Sequence, residues 1–479
     1  MISSIELHFA DSMANESDFD DEKLRLRELI RNEWSNLDET QQQNPIVQGI
    51  SPPPLLKELL PAIPGPSGQL PPGVLPEPED SPVIRRFKAP FDTTTKHDAR
   101  GDAVSLCYDH LIQKRVPIWA AHLLAYQFVD LTEIKQKFQL ENLPFESDNY
   151  ENIPAYTWCK DLIQDFIRYM KTVGEGKIDI PAKPPQCDRW PTCFTGFKNR
   201  KPRMEDRHIV LTSFACVEPK LKHGKDDDAF FAVFDGHNGH ETAAYLAAHF
   251  HRAFLEPETQ NEDAVEYVKR TYNYVDQRLN LRSEKANYRS GSTVAGVLVR
   301  HSRLILFWCG DASIGVLHCG TVNTLSRRHV PSDQREHDRV LAAGGTIVNV
   351  AGDLRVNGVL NITRSMGDLM AKPIIVSDPE ISTYDLTNED WLLFVASDGV
   401  WDELSPSEIR DNCILFARKY EQNEYIHLSD YIVSDTRKAG GRDNMTLIIL
   451  FLQPISDLWN HLRSMQTTME RRNEMEQRV

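Results

Sequence analysis

Apolar side chains recur every three or four residues across residues 17–38. Leu26, Leu29, Ile30, Trp34 and Leu37 fall on one stripe, which predicts a helix with a single buried face. Asp18, Asp20 and Asp21 precede that stripe, where the partial positive charge of a helix start favours carboxylates. The helical period returns from Asp102 to Lys171, broken at Pro117 and again between Pro144 and Pro154. Trp158, Leu162, Phe166 and Met170 repeat every four residues there and predict a core-facing stripe. After Pro181 the pattern changes to short runs rich in Val, Ile and Phe, bounded by Gly, Asp or Asn. These predict strands at 209–215, 229–234, 293–299, 304–309, 314–318, 392–396 and 445–452. Helical spacing predicts helices at 241–255, 263–281, 334–343 and 406–418. Val299 and Leu304 bracket a short turn, so their strands are expected to form an antiparallel hairpin.

Helices first and largely antiparallel strands afterwards make an α+β chain. The expected divisions are an acidic flexible start at 1–16, a helical region at 17–180, a mixed domain at 181–454 and a polar helical tail at 455–479 that projects outward. Residues 51–90 interrupt the helical region and hold twelve of the 28 prolines. Proline removes amide donors and bars helix interiors, so this stretch reads as a semi-extended spacer, its Pro61-to-Pro64 PxxP spacing notwithstanding. A chain of 479 residues exceeds one ordinary core. Its formal charge of −16 argues against a nucleic-acid-binding surface, which needs clustered Lys and Arg. No apolar run approaches the roughly 18 residues of a membrane span, and the acidic N-terminus lacks the basic start of a signal peptide. The eight cysteines are scattered with no CxxC, so reduced, structural thiols and a cytoplasmic setting are expected.

The candidate chemistry sits where apolar runs stop. Phe230–Phe234 shows no alternation, which predicts a strand buried on both faces, and it ends abruptly at Asp235-Gly236-His237. Glu205 and Asp206 precede the strand at 209–215, Asp311 follows 304–309, Asp398 follows 392–396, and Asp443-Asn444 introduces 445–452. Rigid strand ends can bring such carboxylates together. The ligands are oxygens without Cys and His pairs, so Mg²⁺ or Mn²⁺ is expected rather than zinc. A single Asp after a strand is usually a turn former or helix cap; the ordered set carries the argument.

That set, RMEDRH (203–208), FFAVFDGHNGH (230–240), GSTVAGVLV (291–299), WCGDASIGVL (308–317), LRVNGVLNITRSMGD (354–368), ASDGVWD (396–402) and GGRDNMTLIIL (440–450), resembles the metal-dependent serine/threonine protein phosphatases of the PP2C type over roughly residues 190–452. The resemblance implies a β-sandwich of two antiparallel sheets flanked by helices. It also implies two tightly bound Mg²⁺ or Mn²⁺ ions and a looser third. By position, Asp235 bridges two ions, the Gly236 carbonyl binds one, and Asp398 and Asp443 hold the other. Glu205 and Asp206 act partly through water, and Asp311, helped by Asp398, takes the third ion, with Asp402 assisting. Thr293 and Asn444 are supporting residues, His237 is the general acid, and Arg355 lies near the substrate. Two departures stand out. Lys201 occupies the position of the family's phosphate-gripping arginine, so the grip falls to Lys201 with its neighbours Arg200 and Arg203. Asn238 replaces a small residue. The implied substrates are phosphorylated proteins, with a protein partner bound through the N-terminal helical region. That helical extension, with the MEDRH and RVNG wording, looks like the branch acting on calmodulin-dependent and p21-activated kinases, and resembles more closely still a nematode phosphatase of sex determination with the same two-part build. A non-catalytic phosphatase-like scaffold is the rival, but such a protein is expected to lose metal ligands, and none is missing here.

Overall fold

A computed structural model of the chain describes residues 16–35, 91, 93–140, 152–218, 227–255 and 262–477. The acidic start and the proline-rich stretch with its PxxP spacing lie outside the described residues. The helical region contains α1 (Glu16–Ser35), α2 (Ala99–Gln113), α3 (Ile118–Val129), α4 (Thr132–Phe138) and α5 (Ala155–Gly174). Leu26, Ile30 and Trp34 of α1 are buried, as are Trp158, Leu162, Phe166 and Met170 of α5, so both expected stripes face a core. A small antiparallel pair, β1 (Thr93–Thr95) with β2 (Asn152–Pro154), also ties this region together. Strands of three residues are too short to show a period, so the sequence pattern missed them.

The remainder is built on two five-stranded antiparallel sheets. The first runs β15 (Glu380–Asp385), β9 (Arg303–Cys309), β8 (Val294–Arg300), β5 (Ala229–Phe234), β4 (Arg207–Leu211). The second runs β11 (Thr321–Thr324), β10 (Ser313–His318), β16 (Asp390–Ala396), β17 (Met445–Phe451), β3 (Thr192–Phe197). Between the sheets lies a core containing Phe231, Val233, Val297, Leu306, Ile314, Val395 and Ile448. Successive side chains of a strand point to opposite faces. Phe230, Ala232 and Phe234 therefore enter the helix-covered outer core, where α6 (Glu241–Ala253) and α7 (Ala264–Ala286) pack. Every residue of β5 is buried, which accounts for its lack of alternation. The second sheet's outer face is covered by α10 (Pro406–Lys419), α11 (Leu428–Ala439) and α12 (Ile455–Ser464). Two antiparallel sheets with helices outside them, preceded by helices, match the expected architecture, including the β8–β9 hairpin.

The helical region shares the outer core of the first sheet: Trp34, Phe128 and Phe166 belong to the same buried cluster as Phe230, Phe250 and Phe307. Polar contacts cross the same boundary. Tyr126 Oη and His251 Nε2 are 2.9 Å apart, and His122 Nε2 donates to the Val210 carbonyl at 2.9 Å. Buried Arg282 of α7 donates to Asp102 of α2 at 2.9 Å and to the Thr93 carbonyl at 2.6 Å, so its charge is compensated on the helical side. Gly101 allows the close approach of α2, because a Cβ there would meet Arg252 Nη1 at 2.2 Å.

Some expectations require correction. The tail does not project: Leu458, Trp459 and Leu462 of α12 are buried, and Trp459 Nε1 donates to the Tyr420 carbonyl at 3.0 Å. The final helix, α13 (Thr468–Gln477), is held to α10 through Arg418 and Glu470 at 2.8 Å. The strand expected at 209–215 stops at Leu211, because Ser213 accepts from the Ala215 amide and starts a tight helical turn. Also unforeseen are β3, β11, β15, α11 and a projecting hairpin of β12 (Ile347–Val350) and β13 (Asp353–Val356). No described helix is long and apolar enough to cross a membrane.

Candidate metal centre

Three strands deliver carboxylates to one end of the sandwich. Asp235 leaves β5, Asp311 leaves β9, and Asp398 leaves β16 as the first residue of the short helix α9 (Asp398–Trp401). One oxygen from each lies within 4.8 Å of the others. Thr293 fixes the exit of β5: its hydroxyl accepts from the Asp235 amide at 3.3 Å, while its own amide donates to the Asp235 carbonyl at 2.9 Å. Gly236 follows in the two-residue strand β6 (Gly236–His237), which pairs with β7 (Gly291–Ser292). A Cβ on Gly236 would lie 2.5 Å from the Glu205 carbonyl oxygen, so this close approach requires glycine.

Asn444 clamps the segment bearing Glu205. Its Oδ1 accepts from the Glu205 amide at 2.7 Å, and its Nδ2 donates to the carbonyls of Lys198 and Arg203 at 2.8 and 3.0 Å. Asp206 is buried and accepts from Thr446 Oγ1 at 2.8 Å. Lys201 Nζ pairs with Asp443 at 2.8 Å, while Arg200 and Arg203 are exposed on the same loop. Asp402 accepts from Arg328 Nη1 at 2.5 Å, and Arg328 Nη2 lies 3.5 Å from Asp311. His237 Nε2 is 2.6 Å from Asp368 Oδ2, which also accepts from the Ser365 hydroxyl at 2.5 Å. Asn238 adopts a left-handed backbone at φ 57°, which asparagine tolerates better than most residues. Arg355, on β13, donates to the Val359 carbonyl at 2.7 Å and is held to its own hairpin.

The electrostatics follow from crowding acids in a dry place. Burial, reinforced by Asp398, Asp206 and Asp311, pushes the Asp235 carboxyl well above the usual range. Burial, with Asp398 nearby, raises Asp206 and Asp311 to about 7 each. Asp398 is raised chiefly by burial. Burial alone would depress His237, but the hydrogen bond and charge of Asp368 outweigh it and hold the imidazole above its ordinary value. Burial opposes protonation of Lys201 as well, and Asp443 reverses that. An all-oxygen donor set whose members repel one another fits a hard divalent cation, which would neutralise them.

A sequence profile of the protein phosphatase 2C family matches residues 192–445, more than half of the chain. The chain belongs to that family. The match covers the segment that carries every carboxylate of the cluster, and it makes the chain a serine/threonine protein phosphatase of a family that works with Mg²⁺ or Mn²⁺. Among curated relatives, the protein phosphatase fem-2 of Caenorhabditis elegans is 29% identical over 395 residues, covering 79% of this chain and 85% of the relative. Human protein phosphatase 1F is 27% identical over 389 residues, covering 78% and 83%. Mouse protein phosphatase 1E is 26% identical over 403 residues, covering 83% of this chain and 52% of the relative. These alignments are longer than the 2C segment, so the likeness extends beyond it. Among solved structures, a sex-determining protein of C. elegans superposes with a TM-score of 0.69 at 27% identity, covering 77% of this chain and 91% of that one.

Sequence reasoning missed two members of the 2C site. Asp368 lies in the quoted SMGD segment, but a residue after the two-residue strand β14 (Met366–Gly367) carries no periodic signal. Arg328 sits in a loop beside Arg327, and nothing in the sequence distinguishes the two.

Proposed function

We propose that the chain hydrolyses phosphoserine and phosphothreonine in proteins at the carboxylate cluster. Asp235, the Gly236 carbonyl, Asp398 and Asp443 would hold two divalent ions there. Glu205 and Asp206 would act partly through water, and Asp311, helped by Asp398 and assisted by Asp402, would hold a looser third ion. When bound, two such ions neutralise phosphate charge and lower the pKa of water, so no side-chain nucleophile is required. The residues themselves do the remaining work. Thr293 and Asn444 fix the strand exit and the loop that present the ligands. Lys201, with Arg200 and Arg203, draws the phosphate in, and Arg355 contributes from the hairpin at the substrate's edge. His237, kept protonated by the hydrogen bond of its Nε2 to Asp368, gives the proton on its other ring nitrogen, Nδ1, to the departing serine or threonine oxygen, a poor leaving group without one.

The observation that carries this reading is the convergence of Asp235, Asp311 and Asp398 within 4.8 Å at three strand ends. It also disfavours the scaffold alternative, which has no use for three crowded acids, one buried and two partly buried. The helical region is proposed to bind substrates or a regulatory protein, and a cytoplasmic setting suits eight cysteines that are all free. The test is release of phosphate from a phosphothreonine peptide by protein treated with chelator and then given Mn²⁺ or Mg²⁺. Turnover that appears only with metal supports the reading. Folded, metal-loaded protein that binds the peptide without turnover supports the scaffold.

A further inference from the structure

Cys187 and Cys216 approach to 3.1 Å, sulfur to sulfur, although 29 residues separate them. Cys187 belongs to the turn Pro185–Asp188, which carries the chain from the helical region into β3. Cys216 ends the turn Phe214–Cys216 that follows β4 and packs on α3. Cys216 is 1% exposed and Cys187 7%. Cys187 lines a surface pocket of about 170 Å³ together with Lys183, Thr212 and Tyr425, which gives a small oxidant a route to one sulfur. Lys183 stays beside it, paired with Asp188 at 2.6 Å.

Two adjacent thiols share their protons unequally. Once one sulfur is ionised, the remaining S–H donates to it, and the anion is favoured. The hydrogen bond from Cys216, helped by the charge of Lys183, holds Cys187 below the usual thiol range despite its burial. The same bond, with burial, raises Cys216. Cys187 is therefore the sulfur that ionises and lies nearest the pocket, and Cys216 is placed to resolve what forms on it.

We propose that Cys187 and Cys216 are a reversible redox pair, which hydrogen peroxide converts to a disulfide joining the inter-region turn to the end of β4. The Cys187 thiolate attacks one peroxide oxygen and the O–O bond breaks. The other oxygen leaves as hydroxide and takes up a proton to become water, leaving a sulfenic acid on Cys187. Cys216 sulfur then attacks that sulfur. The S–S bond forms, the S–O bond breaks, and the departing hydroxide takes the Cys216 proton as a second water. Two thiols have lost two electrons and one peroxide has gained them. A dithiol reductant reverses the change by exchange. The crosslink would fasten the chain leaving the helical region to β4, whose other end continues from Glu205 and Asp206.

The experiment uses the full-length protein, exposed to graded hydrogen peroxide, quenched by alkylation and mapped by mass spectrometry without reduction. The expected result is one linked peptide pair, Cys187 with Cys216, formed at lower peroxide than any other thiol modification. It should vanish on dithiothreitol treatment and be absent from Cys187→Ser and Cys216→Ala. The oxidised wild type should also unfold at a higher temperature than the reduced protein, by a few degrees, since a crosslink restricts the unfolded chain. Both cysteines remaining alkylatable while exposed Cys319 is oxidised would overturn the proposal. So would a linkage that pairs either sulfur with a different cysteine. The wild-type map decides even if a variant folds poorly.

Discussion

The 2.6 Å hydrogen bond from His237 to Asp368 keeps the imidazole charged to higher pH than its burial alone would allow. Asp368→Asn removes the charge that raises it, so the acid form is lost sooner as pH rises. The alkaline limb of the kcat profile is then expected to move to lower pH. His237→Gln should lower kcat for a phosphothreonine peptide by about 10²–10⁴-fold. The loss should be much smaller for p-nitrophenyl phosphate, whose leaving group needs no proton; equal losses on both substrates would remove the general acid. At Lys201, arginine would restore a planar fork able to grip phosphate through two donors. Lys201→Arg is therefore expected to lower KM for phosphopeptide several-fold with kcat little changed, checked by steady-state kinetics. The clustered acids Asp235, Asp311 and Asp398 were legible in the sequence because each one follows a run of apolar residues. Asp368 and Arg328 were not, since they act through contacts that only the folded loops create.

Among the elements, β5 is the clearest case of sequence dictating position. Six residues buried on both faces need an apolar run without alternation, and that run ends at Asp235 of the acid cluster. Strand β15 shows the opposite: it is a partly exposed edge strand, EISTYD, and its polar composition hid it. The tail was misread for a related reason, because three buried residues in α12 are few among many polar ones. At the junction of β5 and β6, Gly236→Ala is expected to destabilise the protein by about 1–3 kcal/mol through overpacking against the Glu205 carbonyl. It should also weaken Mn²⁺ binding, because the displaced segment carries Glu205 and Asp206; thermal unfolding and calorimetric titration read the two effects.

For the whole molecule, the shared core and the acid cluster set the expectations. Removing residues 1–180 uncovers the face of α6 on which α2 packs, and leaves Arg282 without Asp102. The truncated chain is expected to unfold at a markedly lower temperature than the full chain in a thermal scan. Asp206 and Asp311 have ordinary values of 3.8 and folded values near 7. Between those limits the folded metal-free protein holds more protons than the unfolded chain, so its stability falls as pH rises and levels off above about 7. Cations bind the ionised form, so added Mn²⁺ should raise the unfolding temperature more at pH 7.5 than at pH 5.5. The measurement that tests the central claim most directly pairs Mn²⁺ binding with phosphothreonine-peptide hydrolysis in wild type and Asp235→Asn. The account predicts at least two bound ions and metal-dependent turnover in the wild type, with both lost in the variant while the fold is retained. Turnover that survives in Asp235→Asn, or metal binding that the substitution leaves unchanged, would contradict it.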